Sequence, residues 1–540
     1  MKKIFMLLLA FAMLFALCGQ AFASSEAAEV TLADLEVPTE FEVPENLDID
    51  WSGSTDTEQV RHYNYDEFVA LMEELAATYP EYCSMYSLGH TAQEREMYCL
   101  ELTNFANDAE KTGIAIFGEI HGGEMESGEC GMYIPWWILL NSDSEYVQYM
   151  LNNYIIYCIP VINVDGKEES FTYNVRDNVS PNDADGDGVP FSDPYTDVDG
   201  DGFISDVFIG ESGLDLTKAE GSWFGLTIDG VALESVGMES PDWNLDGELG
   251  NDPRDSGIDM NRTFDYQYAT YDITTYNPNG VTYTGSQEMS VVGDNSWSTN
   301  GQGEGRSAEL EVQAIEKFFE THEIAAMVTL HTGIQTILWP WCYREATEED
   351  TDLAEMAEIG AQMAAAASEA ASADGTTRNF YYRSSWSDYP TAAELIDYCY
   401  GRYGIHAYTI EVYEPGSSDP DTEDDFEMYG NGVYVNSDGT LTKGATWQNG
   451  DQLENAAAEY ITEYTYDEVS SVLGFSQAQI DALGLEPGQS LYFYTTQDAQ
   501  MSGIAPTHMD LMCDAALQAC LVMIEAEPYG AGYTCPDYLQ

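Results

Sequence analysis

Gly113-Ile-Ala-Ile-Phe-Gly-Glu-Ile-His121-Gly-Gly-Glu124 is the stretch on which the fold turns. Its apolar run, 113–120, is too short for a helix and has the make-up of a strand buried on both faces. It ends in a polar turn carrying a His and a Glu three positions apart. In an open α/β sheet, ligands gather at the carboxyl ends of strands, so both side chains fall where one metal ion can be reached. A second run, 325–330, ends the same way at His331. Two His and one Glu leave a fourth position for water, which is the donor set of an open catalytic zinc site.

Outward from these runs, apolar spacing predicts a helix over 65–79, through Phe68, Leu71, Met72 and Leu75. It predicts two short strands around a polar turn over 84–102. Further strands are expected over 154–164 and 407–412, and helices over 307–321, 353–373 and 509–525. Strands alternating with helices indicate an α/β fold with a largely parallel or mixed sheet. Two stretches break the pattern. Residues from 167 to about 257 are rich in Asp, Gly, Asn and Ser, and those from 415 to about 500 are acidic. Both read as insertions in one domain spanning 60–540.

The first residues read as a targeting segment. Lys2 and Lys3 precede an apolar run, 4–17, and Ala21-Phe-Ala23 is a small-x-small cleavage pattern. Residues 1–23 are therefore expected to be a signal peptide, with the mature chain starting at Ser24 and secreted. Leu17 before Cys18 speaks against a lipid anchor. Residues 24–59, acidic and containing Pro38 and Pro44, read as an extended leader or linker. No later apolar run is long enough to span a bilayer.

Seventeen Lys and Arg face 96 Asp and Glu, for a formal net charge of −79 over 540 residues. Phosphate repels such a surface, so nucleic acid is excluded as a partner and anionic membranes are disfavoured. A 44% hydrophobic content rules out a wholly disordered chain. No two of the ten cysteines form a CxxC pair, which excludes a zinc ribbon or a thioredoxin motif. Their connectivity stays open.

The first insertion repeats a second pattern: Asp183-x-Asp185-x-Asp187-Gly, Asp197-x-Asp199-x-Asp201-Gly and Asp242-x-Asn244-x-Asp246-Gly. Alternating oxygen ligands before a Gly bend open a calcium loop. Pro194, Phe208 and Pro253 stand where a complete EF-hand has its bidentate Glu, so none of the three is complete. Three copies point to structural calcium.

Several motifs in one order decide the function. They are Tyr63-Asn-Tyr-Asp-Glu-Phe68, His121-Gly-Gly-Glu124, Ile162-Asn-Val-Asp-Gly166, Gly257-Ile-Asp-Met-Asn-Arg262, Leu330-His-Thr332 and Tyr408-Thr-Ile-Glu-Val412. Together they resemble the carboxypeptidase A/carboxypeptidase T family of zinc carboxypeptidases. The resemblance implies a mixed, mostly parallel eight-stranded sheet between helices. It implies removal of residues from the C-termini of peptides and proteins by zinc-activated water. His121, Glu124 and His331 would bind zinc, and Glu411 would be the general base. Asn261 and Arg262 would hold the substrate's terminal carboxylate, which a planar guanidinium binds bidentately. Asp259 would orient a ligating His, and Tyr389 would cover the bound C-terminus. Arg176, in Tyr173-Asn-Val-Arg-Asp-Asn178, is the candidate to polarise the scissile carbonyl, with Arg254 as the alternative.

Ile396 falls at the base of the side-chain pocket, which implies aromatic or aliphatic C-terminal residues. Glu394, two positions away, and the acidity of the chain would attract basic peptides instead. Gly123, between two ligands, stands where animal relatives carry arginine. Two other readings remain: a hydrolase of γ-D-glutamyl cell-wall peptides on the same fold, and a calcium-dependent binding protein on an inactive enzyme fold. Asn261, Arg262 and Tyr389 favour ordinary C-termini over the first. Retention of His121, Glu124, His331 and Glu411 argues against the second.

Overall fold

The computed structural model describes residues 31–39, 41–51, 61–172, 175–180, 188–190, 192, 194–222, 225–239, 257–268, 307, 309–347, 350–388, 391–412, 433–436, 441–443, 460–495 and 508–526. The targeting segment expected at 1–23 lies outside them.

A mixed sheet organises the chain. Its strands are β1 (Cys83–His90), β2 (Glu96–Leu102), β3 (Thr112–Gly118), β4 (Tyr154–Ile159), β5 (Ile324–His331), β6 (Gln335–Trp339), β7 (Tyr381–Ser384) and β8 (His406–Val412). Their spatial order is β1-β2-β4-β3-β5-β8-β6-β7. The central run β4-β3-β5-β8 is parallel throughout. A hairpin, β9 (Val433–Asn436) and β10 (Leu441–Lys443), extends the sheet beyond β7. The eight-stranded expectation is met, and the second insertion supplies these two extra strands.

Helices α1 (Tyr65–Thr78), α2 (Met125–Leu140), α3 (Glu145–Asn153), α4 (Val164–Glu169), α5 (Leu310–Thr321), α6 (Leu353–Ala371), α7 (Leu395–Tyr403) and α8 (Met509–Glu525) cover the sheet. The motif that begins at Tyr63 has a local reason. Asn64 accepts the Glu67 backbone N–H and Glu67 accepts that of Asn64, a capping box that starts α1. Helix α2 is buried on every side and contains Pro135. It has no polar face, so no amphipathic period announces it.

The described part of the stretch expected to be an extended leader or linker, residues 31–39 and 41–51, packs on the core. Leu32, Leu47 and Trp51 lie in the main core, and Trp51 meets Tyr133 and Trp136 edge-on. Trp136 Nε1 donates to the Leu47 carbonyl at 2.9 Å. A few large apolar residues in an acidic stretch bury enough area to dock it, a signal that composition hides.

The two insertions form one accessory unit. Ile461–Thr465 and Gln489–Tyr494 from the second pair with Asp206–Glu211 and Glu234–Met238 from the first, in that order. Val207, Ile209, Val469, Ile480, Leu491 and Phe493 make its own small core. The eight described cysteines are all buried thiols with no disulfide among them.

Candidate metal and active site

The site sits at the carboxyl ends of β3, β5 and β8, three adjacent strands of the parallel run. After β3 the chain turns sharply, and the turn needs its glycines. A Cβ on Gly122 would lie 2.4 Å from the backbone of Gly166, and one on Gly166 would lie 2.5 Å from Asn163. Asn163 Oδ1 accepts the Gly166 N–H at 2.9 Å, and Nδ2 donates to the Asp177 carbonyl at 2.9 Å. The motif that begins at Ile162 is thus the brace against which the His121 turn rests.

His121 Nδ1 lies 2.7 Å from Glu124 Oε1, and His331 Nδ1 lies 3.0 Å from Glu124 Oε2. The ligand atoms of these three residues all fall within 4.8 Å of one another. Each imidazole is held from behind: His121 Nε2 lies 3.1 Å from Asp259 Oδ1, and His331 Nε2 3.3 Å from Thr329 Oγ1. Outer partners of this kind fix the tautomer and aim Nδ1 at the metal position. The donor set and its convergence fit a zinc ion.

Electrostatics follow the geometry. Burial and the Arg176 charge press down the His121 pKa, but Glu124 and Asp259 outweigh them and it lies above the ordinary value. For His331, burial prevails over Glu124 and the pKa is lowered. Burial works to raise Glu124, yet the two imidazoles hold it well below the usual carboxylate range.

Asp259 is a hub. Its Oδ1 also accepts the Asn261 N–H at 3.0 Å, and its Oδ2 accepts Arg176 Nε and Nη2 at 2.9 and 2.8 Å. Arg176 Nη1 stands 3.6 Å from Glu124 Oε1 on a half-exposed side chain. It therefore lies at the rim of the site, oriented by a two-point grip on Asp259. Asn261 and Arg262 are buried in the turn Met260–Arg262, and Asn261 Oδ1 accepts the Leu395 N–H at 2.9 Å.

Glu411 pairs with His331 in register between β8 and β5, so both side chains leave the sheet on the same face. Its Oε2 is buried and has no hydrogen-bond partner among the described residues. Burial, followed by the charges of Glu124 and Asp388, pushes its pKa well above the ordinary value. Ile396 is buried in the main core. Tyr389 and Arg254 lie outside the described residues, as do Asp183, Asp185, Asp187, Asp242, Asn244 and Asp246.

The remaining acidic triplet is described, and it has a fourth member that the sequence did not show. Asp197, Asp199 and Asp201 bring ligand oxygens within 4.8 Å of Glu239. Asp197 accepts the N–H groups of Gly200 and Gly202 at 2.6 and 3.0 Å. Glu239 is fully buried and accepts the Val198 N–H at 2.8 Å. No periodicity links it to the triplet. Strand pairing does, through the Glu239 N–H to the Ser205 carbonyl at 3.0 Å.

The zinc carboxypeptidase family model matches residues 68–218 and 224–431. Mast cell carboxypeptidase A from Homo sapiens is 21% identical over 396 residues, covering 72% of this chain and 70% of that protein. Carboxypeptidase B from Astacus astacus is 33% identical over 111 residues, covering 21% of this chain and 35% of the relative. Among solved structures, carboxypeptidase A from Helicoverpa armigera aligns at a TM-score of 0.40 and 13% identity, over 78% of this chain and 73% of that one. The family model spans well over half of the sequence, and its span includes both strand-end histidines, the Asp259–Arg262 turn and Glu411: the chain belongs to the zinc carboxypeptidase family.

Proposed function

We propose that the protein is a secreted carboxypeptidase that removes C-terminal residues from peptides and proteins by general-base hydrolysis. The convergence of His121, Glu124 and His331, with Glu411 in register beside His331, carries this reading. His121, Glu124 and His331 would hold zinc, which when bound would supply a Lewis acid for the scissile carbonyl and a water of pKa about 7. Arg262 and Asn261 hold the terminal carboxylate. That fixes the scissile bond one residue inward and makes the enzyme an exopeptidase. Arg176, aimed by Asp259, stabilises charge developing on the carbonyl oxygen. Glu411 Oε2 takes a proton from the attacking water as the C–O bond forms, and returns it to the amine nitrogen as the C–N bond breaks. Tyr389 closes over the bound end, a role that rests on the resemblance alone.

Mass spectrometry of a peptide pool, each peptide present as free acid and as C-terminal amide, tests this. Stepwise shortening of the free acids alone is expected. Cleavage of γ-D-glutamyl cell-wall peptides with ordinary peptides left intact would move the assignment to the cell-wall hydrolase reading. Zinc binding without any hydrolysis would favour the binding-protein reading.

A second reading concerns calcium. Asp197, Asp199 and Asp201 supply the opening of a calcium loop, and buried Glu239 takes the place of the absent Glu at position twelve, reaching in from a neighbouring strand. The loop is tied to both insertions, because Tyr464 donates to Asp199 at 3.0 Å. It is also tied to the catalytic turn. Ile204, just past the loop, packs on Val175, whose carbonyl accepts the Gly123 N–H between two zinc ligands. Calcium at one hundred times its dissociation constant is expected to stabilise the protein by about 2.7 kcal/mol. The Glu239→Gln variant, which preserves shape and the Val198 contact, should lose most of that gain. An equal calcium-induced rise in Tm for both proteins would rule this site out.

A further inference from the structure

Arg262, the proposed anchor for the terminal carboxylate, already has a carboxylate beside it. Its Nη1 lies 3.2 Å from Glu394 Oε1, and both side chains are nine-tenths or more buried. Thr391 Oγ1 donates to the same Glu394 oxygen, and Cys342 Sγ donates to Oε2 at 3.3 Å. The following residue, Leu395, donates its N–H to Asn261 Oδ1. The segment carrying Glu394 is therefore laced to the turn that carries Asn261 and Arg262. The charge of Glu394 also acts on Glu411 and on buried Asp388 and Asp397. Glu394 is the residue immediately before α7, the helix that carries Ile396, which was expected at the base of the side-chain pocket.

This placement has a consequence for selectivity. Arg262 and Glu394 compensate each other before substrate arrives. A terminal carboxylate entering the pocket makes a second claim on the same guanidinium and leaves one negative charge in excess in a largely buried site. Aromatic or aliphatic side chains do nothing for that charge. A lysine or arginine side chain brings the missing cation with it. Taking the carboxypeptidase reading as given, we infer that Glu394 is a specificity-determining residue that selects peptides ending in Lys or Arg. Its three donors, from Arg262, Thr391 and Cys342, hold it in place for that task.

The test compares kcat/KM for matched peptides ending in Lys, Arg, Phe and Leu, in the zinc-loaded wild type and in Glu394→Gln. The wild type should favour the basic ends by about tenfold or more, and the substitution should reduce that ratio by a similar factor. A residue that merely braces Arg262 would change all four substrates together, so an unchanged ratio overturns the inference, as does a wild type that favours Phe or Leu. Calorimetric titration of the wild type with free lysine and free phenylalanine reads the pocket without catalysis and without the variant. Tighter binding of lysine is expected, and tighter binding of phenylalanine overturns the proposal. Failure of every free-acid peptide to react, with lysine still preferred in binding, would retire the carboxypeptidase reading and leave the pocket's selectivity standing.

Discussion

Replacing Glu411 with Gln is expected to lower kcat by about 10²–10⁴-fold, with KM, zinc content and fold little changed. Gln keeps the size of the side chain and cannot accept a proton. On the proposed reading the terminal carboxylate would be held elsewhere, by Asn261 and Arg262, so ground-state binding should survive. Stability should hold or rise. The wild-type protein buries Glu411 Oε2 without a hydrogen-bond partner among the described residues, and Glu124 and Asp388 add like charge. A neutral amide relieves that repulsion, a trade of stability for function that is common at active sites. Steady-state kinetics on a free-acid peptide, with zinc measured on the same samples, decides it. A kcat within about tenfold of wild type would remove Glu411 from the mechanism.

The parts of this site legible in sequence are those in which local chemistry and strand ends coincide. His121, Glu124 and His331 follow apolar runs that read as strands, and the structure brings them together at the carboxyl ends of β3 and β5. The motifs that begin at Tyr63 and Ile162 proved to be a helix cap and a turn brace, structural reasons that no motif states for itself. Glu239 was not legible as a site member, and Glu394, read only as an acid near the side-chain pocket, was not legible as the partner of Arg262. Each is one acid among 96, and its importance comes from a partner more than thirty residues away: Arg262 for one, and the Asp197–Asp201 loop for the other. Helix α2 was missed because burial on all sides erases the amphipathic period.

The two insertions show how long-range pairing changes the meaning of composition. Alone, the first reads as a run of incomplete calcium loops and the second as an acidic insertion. Paired, they build a sheet with its own apolar core and place an acidic loop within two packing steps of the zinc-ligand turn, through Ile204 and Val175. A net charge of −79 would oppose that compaction. On the proposed calcium reading, a divalent ion at Asp197, Asp199, Asp201 and Glu239 would offset repulsion among these four carboxylates.

Lys167→Met is expected to destabilise the protein by about 3–5 kcal/mol, a large part of the 5–15 kcal/mol of a typical domain. Lys167 Nζ lies 3.0 and 3.3 Å from the two oxygens of Glu119, and neither side chain has any exposure. The ammonium also sits 4.4 Å from the centre of the Phe68 ring, a cation–π contact that methionine would not reproduce. Burial already pushes the Glu119 pKa up to about 8, and removing the lysine takes away the main charge that opposes that rise. A Cβ on neighbouring Gly128 would fall only 1.8 Å from Glu119 Oε2, so the pocket is full on that side. Glu119 also anchors the backbone that delivers His121. Its N–H donates to Ser127 Oγ at 3.1 Å, and its carbonyl accepts the Asn163 N–H at 2.9 Å. Catalytic loss should therefore accompany the loss of stability. Denaturant unfolding of Lys167→Met beside the double variant Lys167→Met/Glu119→Gln separates the two contributions. If the cost is the stranded charge, the double variant recovers most of it, because replacing both partners of a buried pair is far less damaging than removing one. If the ion pair itself supplies the stability, both variants fall equally, and the Glu119–Lys167 pair is then a source of net stability instead of a device that fixes the shape of the catalytic turn.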